Sequence, residues 1–452
     1  MVATAVIYIG GIFMLYDVVI VGAATSGAYF ARKMSKKGYK VKMIEKLSEE
    51  KLGTRMDIFH VSHSDLKKFD IPTVKEGDKE WAFEFTDNHF SSPSNKYKVN
   101  TTAETVGLHM HEYVALMVKL ALEAGAEIEY SAGFTGFLFE NGKISGITYE
   151  TADGQKEINA KTVIDCSGSA AVARCALPEN YGVETFRLAD DEMFYVVLRY
   201  AEFAKEQINT FWLNTKSWFA PFSMNPLQKI IGTGAVLSFE NCEKTIKKLD
   251  NVCTEDEFKV IRTEKGTTPY RRPPYSLVAD NFIVTGDAAC LTKPDCGEGV
   301  TSSMVMMDIA ADVLDAALEK GKTDKAALWK INVEYNKAQG ADFCLVRAFL
   351  TKVIKAADSE LEYCFAKRII FNEKFLDNGK IGAGDIAKTV GGIVGGIIKK
   401  DISVSTLKGV IGGAKLGLGL KSHYMKFPET PAGFDEWVKK ADKLWKKVGK
   451  VE

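Results

Sequence analysis

The sequence predicts an α/β fold: a Rossmann-type dinucleotide-binding domain, an antiparallel-sheet domain set into it, and a helical C-terminal region. Three stretches carry this reading. Residues 16–46 read as strand, glycine turn, helix and strand. Residues 190–265 alternate as half-buried strands and are rich in aromatic side chains. Residues 275–311 repeat the strand–turn–helix pattern. At 452 residues the chain is too long for one core. The expected division is an N-terminal extension (1–15), a discontinuous dinucleotide domain (16–75, 105–189 and 266–330), a sheet domain (76–104 and 190–265) and a helical region (331–452).

The first unit opens with Val18-Val19-Ile20-Val21, a β-branched run suited to a strand buried on both faces. A turn follows, Gly22-Ala23-Ala24-Thr25-Ser26-Gly27, then a helix ended by Gly38 and a second strand closing at Glu45. Gly22 permits a tight turn, small Ala24 lets backbone approach a pyrophosphate, and Gly27 lets the helix pack close to the strand. Thr25 and Ser26 sit at the helix N-terminus, whose N–H groups and partial positive charge suit phosphate. Glu45 can accept hydrogen bonds from ribose hydroxyls. Arg55, in the polar segment after it, is a candidate phosphate contact.

Residues 106–125 are predicted as a helix, with His109 and His111 on different faces and so not a metal pair. A meander follows, with hairpin turns at Asn141-Gly142 and Asp153-Gly154. The strand ending at Asp165 leads into Cys166-Ser167-Gly168, a second place where backbone can touch a dinucleotide. In residues 190–265, Trp218, Phe219 and Phe222 are the candidate substrate-lining side chains, and a charged helix is predicted over 240–249.

The second anchor runs from Asn281 into Gly286-Asp287-Ala288-Ala289, then Pro294-Asp295-Cys296-Gly297-Glu298-Gly299 and a long helix. A carboxylate after a buried strand, followed by a glycine loop opening onto a helix, makes a second cofactor contact. Asp287 would bond a ribityl hydroxyl. The helix N-terminus would face the flavin edge where negative charge accumulates on reduction.

Totals exclude several alternatives. Lys+Arg and Asp+Glu both number 59, which leaves no electrostatic case for nucleic acid. The eight cysteines are scattered, with no metal-ligand spacing and no disulfide framework. Residues 1–13 are apolar but too short to span a bilayer and lack a basic start, so they read as an upstream extension, with a membrane-associating segment as the alternative. The glycine-rich runs of 380–420 suit a helical lid or a membrane surface. The stretch Phe434–Val448 reads as a basic amphipathic helix, either capping the fold or lying on anionic lipid. The expected location is cytoplasmic, with peripheral membrane contact as the alternative.

Three stretches together resemble the FAD-dependent geranylgeranyl reductase family, within the flavoproteins shaped like p-hydroxybenzoate hydroxylase: VIVGAATSGAYFARKM…IEK, VIDCSGSAAVAR and PYRRPPYSLVADNFIVTGDAACLTKPDCGEGV. Ser217-Trp218-Phe219-Ala220-Pro221-Phe222 is loosely similar to that family's aromatic-proline substrate motif. The resemblance covers roughly 16–320. It implies FAD as cofactor and reduction of a carbon–carbon double bond, often in prenyl lipids. Gly22, Ala24, Gly27 and Glu45 carry over as the ADP-binding set. Gly286, Asp287, Pro294, Gly297 and Gly299 carry over as the ribityl and isoalloxazine set, with Glu298 between them. Many relatives carry a cysteine soon after the Glu45 position; Lys46–Asp57 has none, and Cys296 lies instead in the flavin loop. Cys296, Tyr195 and Tyr270 are the candidate catalytic groups. No second dinucleotide motif is visible, so electrons would come from a ferredoxin-like carrier or from transient NAD(P)H. An FAD monooxygenase and a non-catalytic lipid-binding flavoprotein are the competing readings.

Overall fold

The computed structural model describes residues 15–101, 104–247, 257–353, 356–369 and 383–449. The expected extension at 1–13 and the end of the expected helix 240–249 lie outside them; the described part of that helix is Phe239–Ile246.

The apolar run predicted as the first strand forms Leu15–Val21, and Val18, Val19 and Ile20 are wholly buried. It pairs in parallel with Val41–Ile44 on one side and Gly154–Asp165 on the other. Glu127–Glu129 extends the sheet beyond Val41–Ile44, and Phe282–Val284 and Val278–Ala279 extend it beyond Gly154–Asp165. The meander strands Gly133–Glu140 and Lys143–Thr151 branch from Gly154–Asp165. Helices Thr25–Lys36, Met110–Glu123 and Val300–Glu319 contribute to the same core. All parallel strands in this sheet end toward the turns at Gly22, Cys166 and Gly286, so three loops meet at one edge.

Residues 106–109, the start of the helix predicted over 106–125, belong instead to a strand, Thr105–His109. Val106 pairs with Val61 and with Glu84, so tertiary pairing with Ile58–Val61 and Trp81–Phe85 overrides the helical periodicity, and the helix starts at Met110. A seven-stranded sheet forms the second layer. Met193–Phe203, next to one edge, lies between the edge strand Phe258–Pro269 and Gln228–Val236, followed by Ser217–Pro221, Thr210–Trp212, Asn88–Ser91 and Lys98–Thr101. Residues 88–101 thus join this sheet, while Trp81–Phe85 joins the small sheet beside the dinucleotide core.

The C-terminal helices return to the first core. Trp329, Phe427, Phe434 and Trp437 form one aromatic knot, and Trp437 stacks on His423 at 4.6 Å between ring centres. Helix Phe434–Val448 therefore turns its apolar face inward and keeps its lysines in solvent. Among the described residues no helix is long and apolar enough to cross a membrane.

Candidate active site

A single cavity of about 1520 Å³ runs from the loops at the sheet edge to the aromatic face of the second sheet. Its dinucleotide end is built by backbone. Gly22 has φ +98°, and a Cβ there would stand 2.5 Å from the Cys166 carbonyl oxygen. A Cβ on Gly27 would stand 1.9 Å from the Gly22 carbonyl oxygen, so both positions need glycine. Ala24 precedes helix Thr25–Lys36 and no side chain caps that end. Ala24, Thr25 and Ser26 line the cavity; Gly27 lies behind them as packing.

Glu45 is buried at the end of Val41–Ile44. Its carboxylate accepts from the Ala23 amide (3.0 Å) and the Leu47 amide (2.9 Å), which fixes it on the cavity wall with lone pairs to spare. Arg55 lines the same end, with Lys46 and Lys51. Opposite, Asp165 accepts from the Ser167 amide and hydroxyl and from the Arg174 amide. Burial pushes its carboxyl above the ordinary value against the pull of these bonds. The Arg174 guanidinium in turn donates to the Ala288 carbonyl at 2.8 Å. This girder locks the Gly168 loop (φ +71°) against the Gly286 turn (φ +62°).

Asp287 lines the cavity and receives one long bond, from Thr292 at 3.4 Å. Burial, with Glu298 nearby, pushes its carboxyl up to about 6. Pro294, Gly297 and Gly299 complete that wall. Glu298 faces the cavity, but its carboxylate is engaged within the loop: it accepts from the Thr301 amide and hydroxyl, both at 2.6 Å, and pairs with Lys293. Through the Thr301 amide it caps the start of helix Val300–Glu319. Cys296 is exposed in the cavity wall; desolvation by the loop packed around its sulfur, then the Asp295 charge, push its thiol up to about 12.

The far end is apolar. Residues of Met193–Phe203 alternate, so Phe194, Val196 and Leu198 face the cavity while Tyr195 and Val197 face helix Phe239–Ile246. Tyr195 is therefore away from the cavity, with its hydroxyl donating to Asp190 at 2.7 Å. Trp218 and Phe219 line the cavity. Trp218 lies flat over Gly232, where a Cβ would stand 2.0 Å from its ring. Phe222 instead packs on Tyr200 at 5.0 Å and does not reach the cavity. Tyr270 does, between Phe194 (5.9 Å) and the Arg347 guanidinium (4.7 Å over its ring).

Sequence reasoning missed several wall residues. Val346, Phe349 and Leu350 come from helix Ala341–Val353, beyond the stretch of family resemblance. Lys216 lies in a turn with φ +48°, its ammonium over Phe194 at 5.6 Å. Burial alone lowers its pKa. His60 lines the cavity between Phe83 and Phe85; its Nε2 has no partner among the described residues, and burial holds the imidazole at about 4.

Glycine-built turns, a fixed carboxylate for a ribose and a buried carboxylate for a polyol chain fit an adenine dinucleotide carrying a flavin. The FAD dependent oxidoreductase family matches residues 17–236. Fold and site together define the class, an FAD-dependent oxidoreductase. Within it the chain is similar to the digeranylgeranylglycerophospholipid reductase of Sulfolobus acidocaldarius, at 23% identity over 95% of this chain and 97% of the relative. A reductase of the same name from Methanocella arvoryzae is 26% identical over 72% and 84%. Among solved structures, a geranylgeranyl bacteriochlorophyll reductase-like protein from Thermoplasma acidophilum superposes with TM-score 0.72 at 18% identity, covering 86% of this chain and 98% of that one. A flavin-dependent brominase superposes with TM-score 0.63 at 15% identity, covering 95% and 100%, and so shares the fold.

Proposed function

We propose that this protein reduces a carbon–carbon double bond in an apolar, prenyl-lipid-like substrate. The observation that carries this reading is the continuity of one cavity, polar and backbone-lined at the dinucleotide end, aromatic and aliphatic at the other. The names of the relatives point the same way. Bound FAD, once reduced, supplies hydride. The chain's residues do the rest. Glu45 and Asp287 would hold the two polyol segments. Pro294, Gly297 and Gly299 would pack against the ring system, and the uncapped helix Thr25–Lys36 would offer its N–H groups to the pyrophosphate. Trp218, Phe219, Phe194 and Phe349 exclude water from the alkene.

A proton must also reach the second alkene carbon. Tyr270 is our choice of donor: burial raises its phenol against the opposing Arg347 charge, so Oη keeps its proton at neutral pH. Lys216, whose ammonium lies over the Phe194 ring at 5.6 Å, is a second protic group at the same end. The electron donor is proposed to be a small ferredoxin-like carrier or NAD(P)H, and substrate access is proposed to involve peripheral contact with a membrane.

The test is anaerobic. FAD-loaded protein is reduced with dithionite and mixed with prenyl lipids, enoates or oxygen. Flavin reoxidation by an alkene, with a product heavier by two hydrogens, is expected. Rapid reoxidation by oxygen alone, with an oxygenated product and no alkene turnover, would replace the reading with a monooxygenase.

A further inference from the structure

The glycine-rich segment that the sequence left between lid and membrane surface is a helical hairpin, Ala383–Ile398 and Val404–Tyr424. Its two faces differ sharply. On the inner face of the second helix Gly409, Gly413 and Gly417 recur every fourth residue. A Cβ on Gly417 would stand 2.8 Å from the Leu345 carbonyl oxygen, and one on Gly409 would stand 3.2 Å from that of Lys352. The glycines thus let this helix lie directly on Ala341–Val353, the helix whose Val346, Phe349 and Leu350 wall the cavity. In the first helix Ile393 is buried, and Gly396 abuts Tyr363 and Ile402.

The outer face is apolar where a soluble helix is polar. Val404 (54% exposed), Ile411 (45%), Leu418 (47%) and Met425 (44%) recur every seventh residue, which puts them on one stripe. Lys408 and Lys415 fall between them on the same stripe and are exposed. Val394 (41%) and Ile398 (78%) add apolar surface from the first helix. Residues 387–426 hold seven lysines against one aspartate, in a chain whose charges sum to zero.

We propose that this hairpin is the membrane-docking element, lying flat on an anionic lipid bilayer with Val404, Ile411 and Leu418 in the acyl boundary and the interleaved lysines at the phosphates. Charge selects this occupant. A second copy of the hairpin would bring two lysine rows together, whereas anionic headgroups neutralise them. Long lysine stems also cover apolar surface while keeping the ammonium at the headgroups. The terminal helix Phe434–Val448, basic as it is, cannot serve in this way, because Phe434 and Trp437 are committed to the aromatic knot. Docking here leaves two packed helices, Val404–Tyr424 and Ala341–Val353, between the bilayer and the cavity, a short path for an acyl or prenyl chain. That last consequence rests on the proposed function; the docking itself does not.

The experiment is co-sedimentation of the FAD-loaded full chain with phosphatidylcholine vesicles, with and without phosphatidylglycerol, read without turnover so that it stands apart from the alkene assay. Binding that requires phosphatidylglycerol and weakens with salt is expected. Lys408→Gln/Lys415→Gln should weaken it about thirtyfold, at ~1 kcal/mol per lysine near an anionic surface. Ile411→Glu/Leu418→Glu should abolish it, and Lys443→Gln/Lys447→Gln on the terminal helix should change it less than about twofold. Flavin absorbance and circular dichroism check that each variant is folded. The proposal is overturned if the wild type ignores anionic vesicles, if Ile411→Glu/Leu418→Glu still binds them, or if that variant instead abolishes a dimer formed by the wild type.

Discussion

The two ends of the cavity are built by different physics. At the dinucleotide end nearly every group is held by backbone: Gly22 by its own φ, Glu45 by the Ala23 and Leu47 amides, Asp165 by the Ser167 and Arg174 amides. At the substrate end the groups come together from strands and helices far apart in sequence, and several polar ones stand in apolar company, with Lys216 on a phenylalanine face and His60 between two more. The first end is a fixed cradle. The second is a shaped void whose polar groups lie among aromatic rings. Variants should therefore act on retention of the cofactor at one end and on turnover at the other.

The largest effect is expected at Gly27. Valine there places a side chain against the Gly22 carbonyl oxygen, where even a Cβ would be 1.9 Å away. The Gly27→Val protein should purify without flavin, and its FAD affinity should fall by roughly a hundredfold or more, from strain of about 3 kcal/mol. Flavin absorbance of the purified protein and titration with FAD check this. Retention of wild-type flavin would mean that the cradle yields more than its geometry implies.

Next is the opposite end. Tyr270→Phe should leave dithionite reduction of the flavin and FAD affinity intact and slow alkene reduction by about 10²-fold to 10⁴-fold, the usual range for a removed proton donor. Lys216→Met should slow it less. If both variants turn over at wild-type rate, the proton comes from water and the substrate end is a purely steric chamber.

A smaller effect sharpens the comparison through pH. Asp287 in the FAD-free protein has its carboxyl raised from 3.8 to about 6 by burial. The folded state then holds a proton that the unfolded chain releases, so this group's contribution to stability falls as pH rises from about 4 to 6. Asp287→Asn removes that loss. The FAD-free variant should gain on the wild type across this window, by at most about 3 kcal/mol. The same variant should bind FAD about tenfold to a hundredfold more weakly, for want of a charged acceptor. Denaturant titrations at several pH values measure the first and flavin titration the second. A stability difference that does not change with pH would show that the carboxyl is solvated rather than desolvated.

What the sequence made legible divides along the same line. The strand Val18–Val21, the Gly22 turn and the acid closing the second strand follow from local rules of φ, close approach and helix polarity, and each can be argued from a run of six or seven residues. The sheet domain was legible as strands but not as faces. Alternation told that Phe194 and Tyr195 point apart, yet only helix Phe239–Ile246 packing on one side decides which of them meets the cavity. Lys216 reads as an ordinary turn lysine until Phe194 and the cavity close around it. The wall supplied by Phe349 and Leu350 lies past every motif, on a helix brought in by contact with the glycine face of residues 409–417. Residues 106–109 went the other way: a helical pattern lost to pairing with Ile58–Val61.

The smallest effect is expected at the residue whose position most invites a large one. Cys296 lies in the loop proposed to face the flavin, between Pro294 and Gly297, and opens on the cavity. A redox or nucleophilic thiol needs thiolate, and thiolates form beside cations or helix N-termini. Here the residue is exposed, yet desolvation of its sulfur by the surrounding loop and the Asp295 charge push the thiol up to about 12, with Lys293, the nearby cation, already paired to Glu298. At neutral pH the group is a small protonated side chain. Cys296→Ser should therefore change alkene turnover and flavin affinity by less than about twofold, and iodoacetamide should modify the native protein at this position far more slowly than a free thiol of ordinary pKa. A large loss of turnover in Cys296→Ser, with the flavin still bound, would move the proton donor from Tyr270 to the flavin loop and make the cradle, rather than the chamber, the chemically active end.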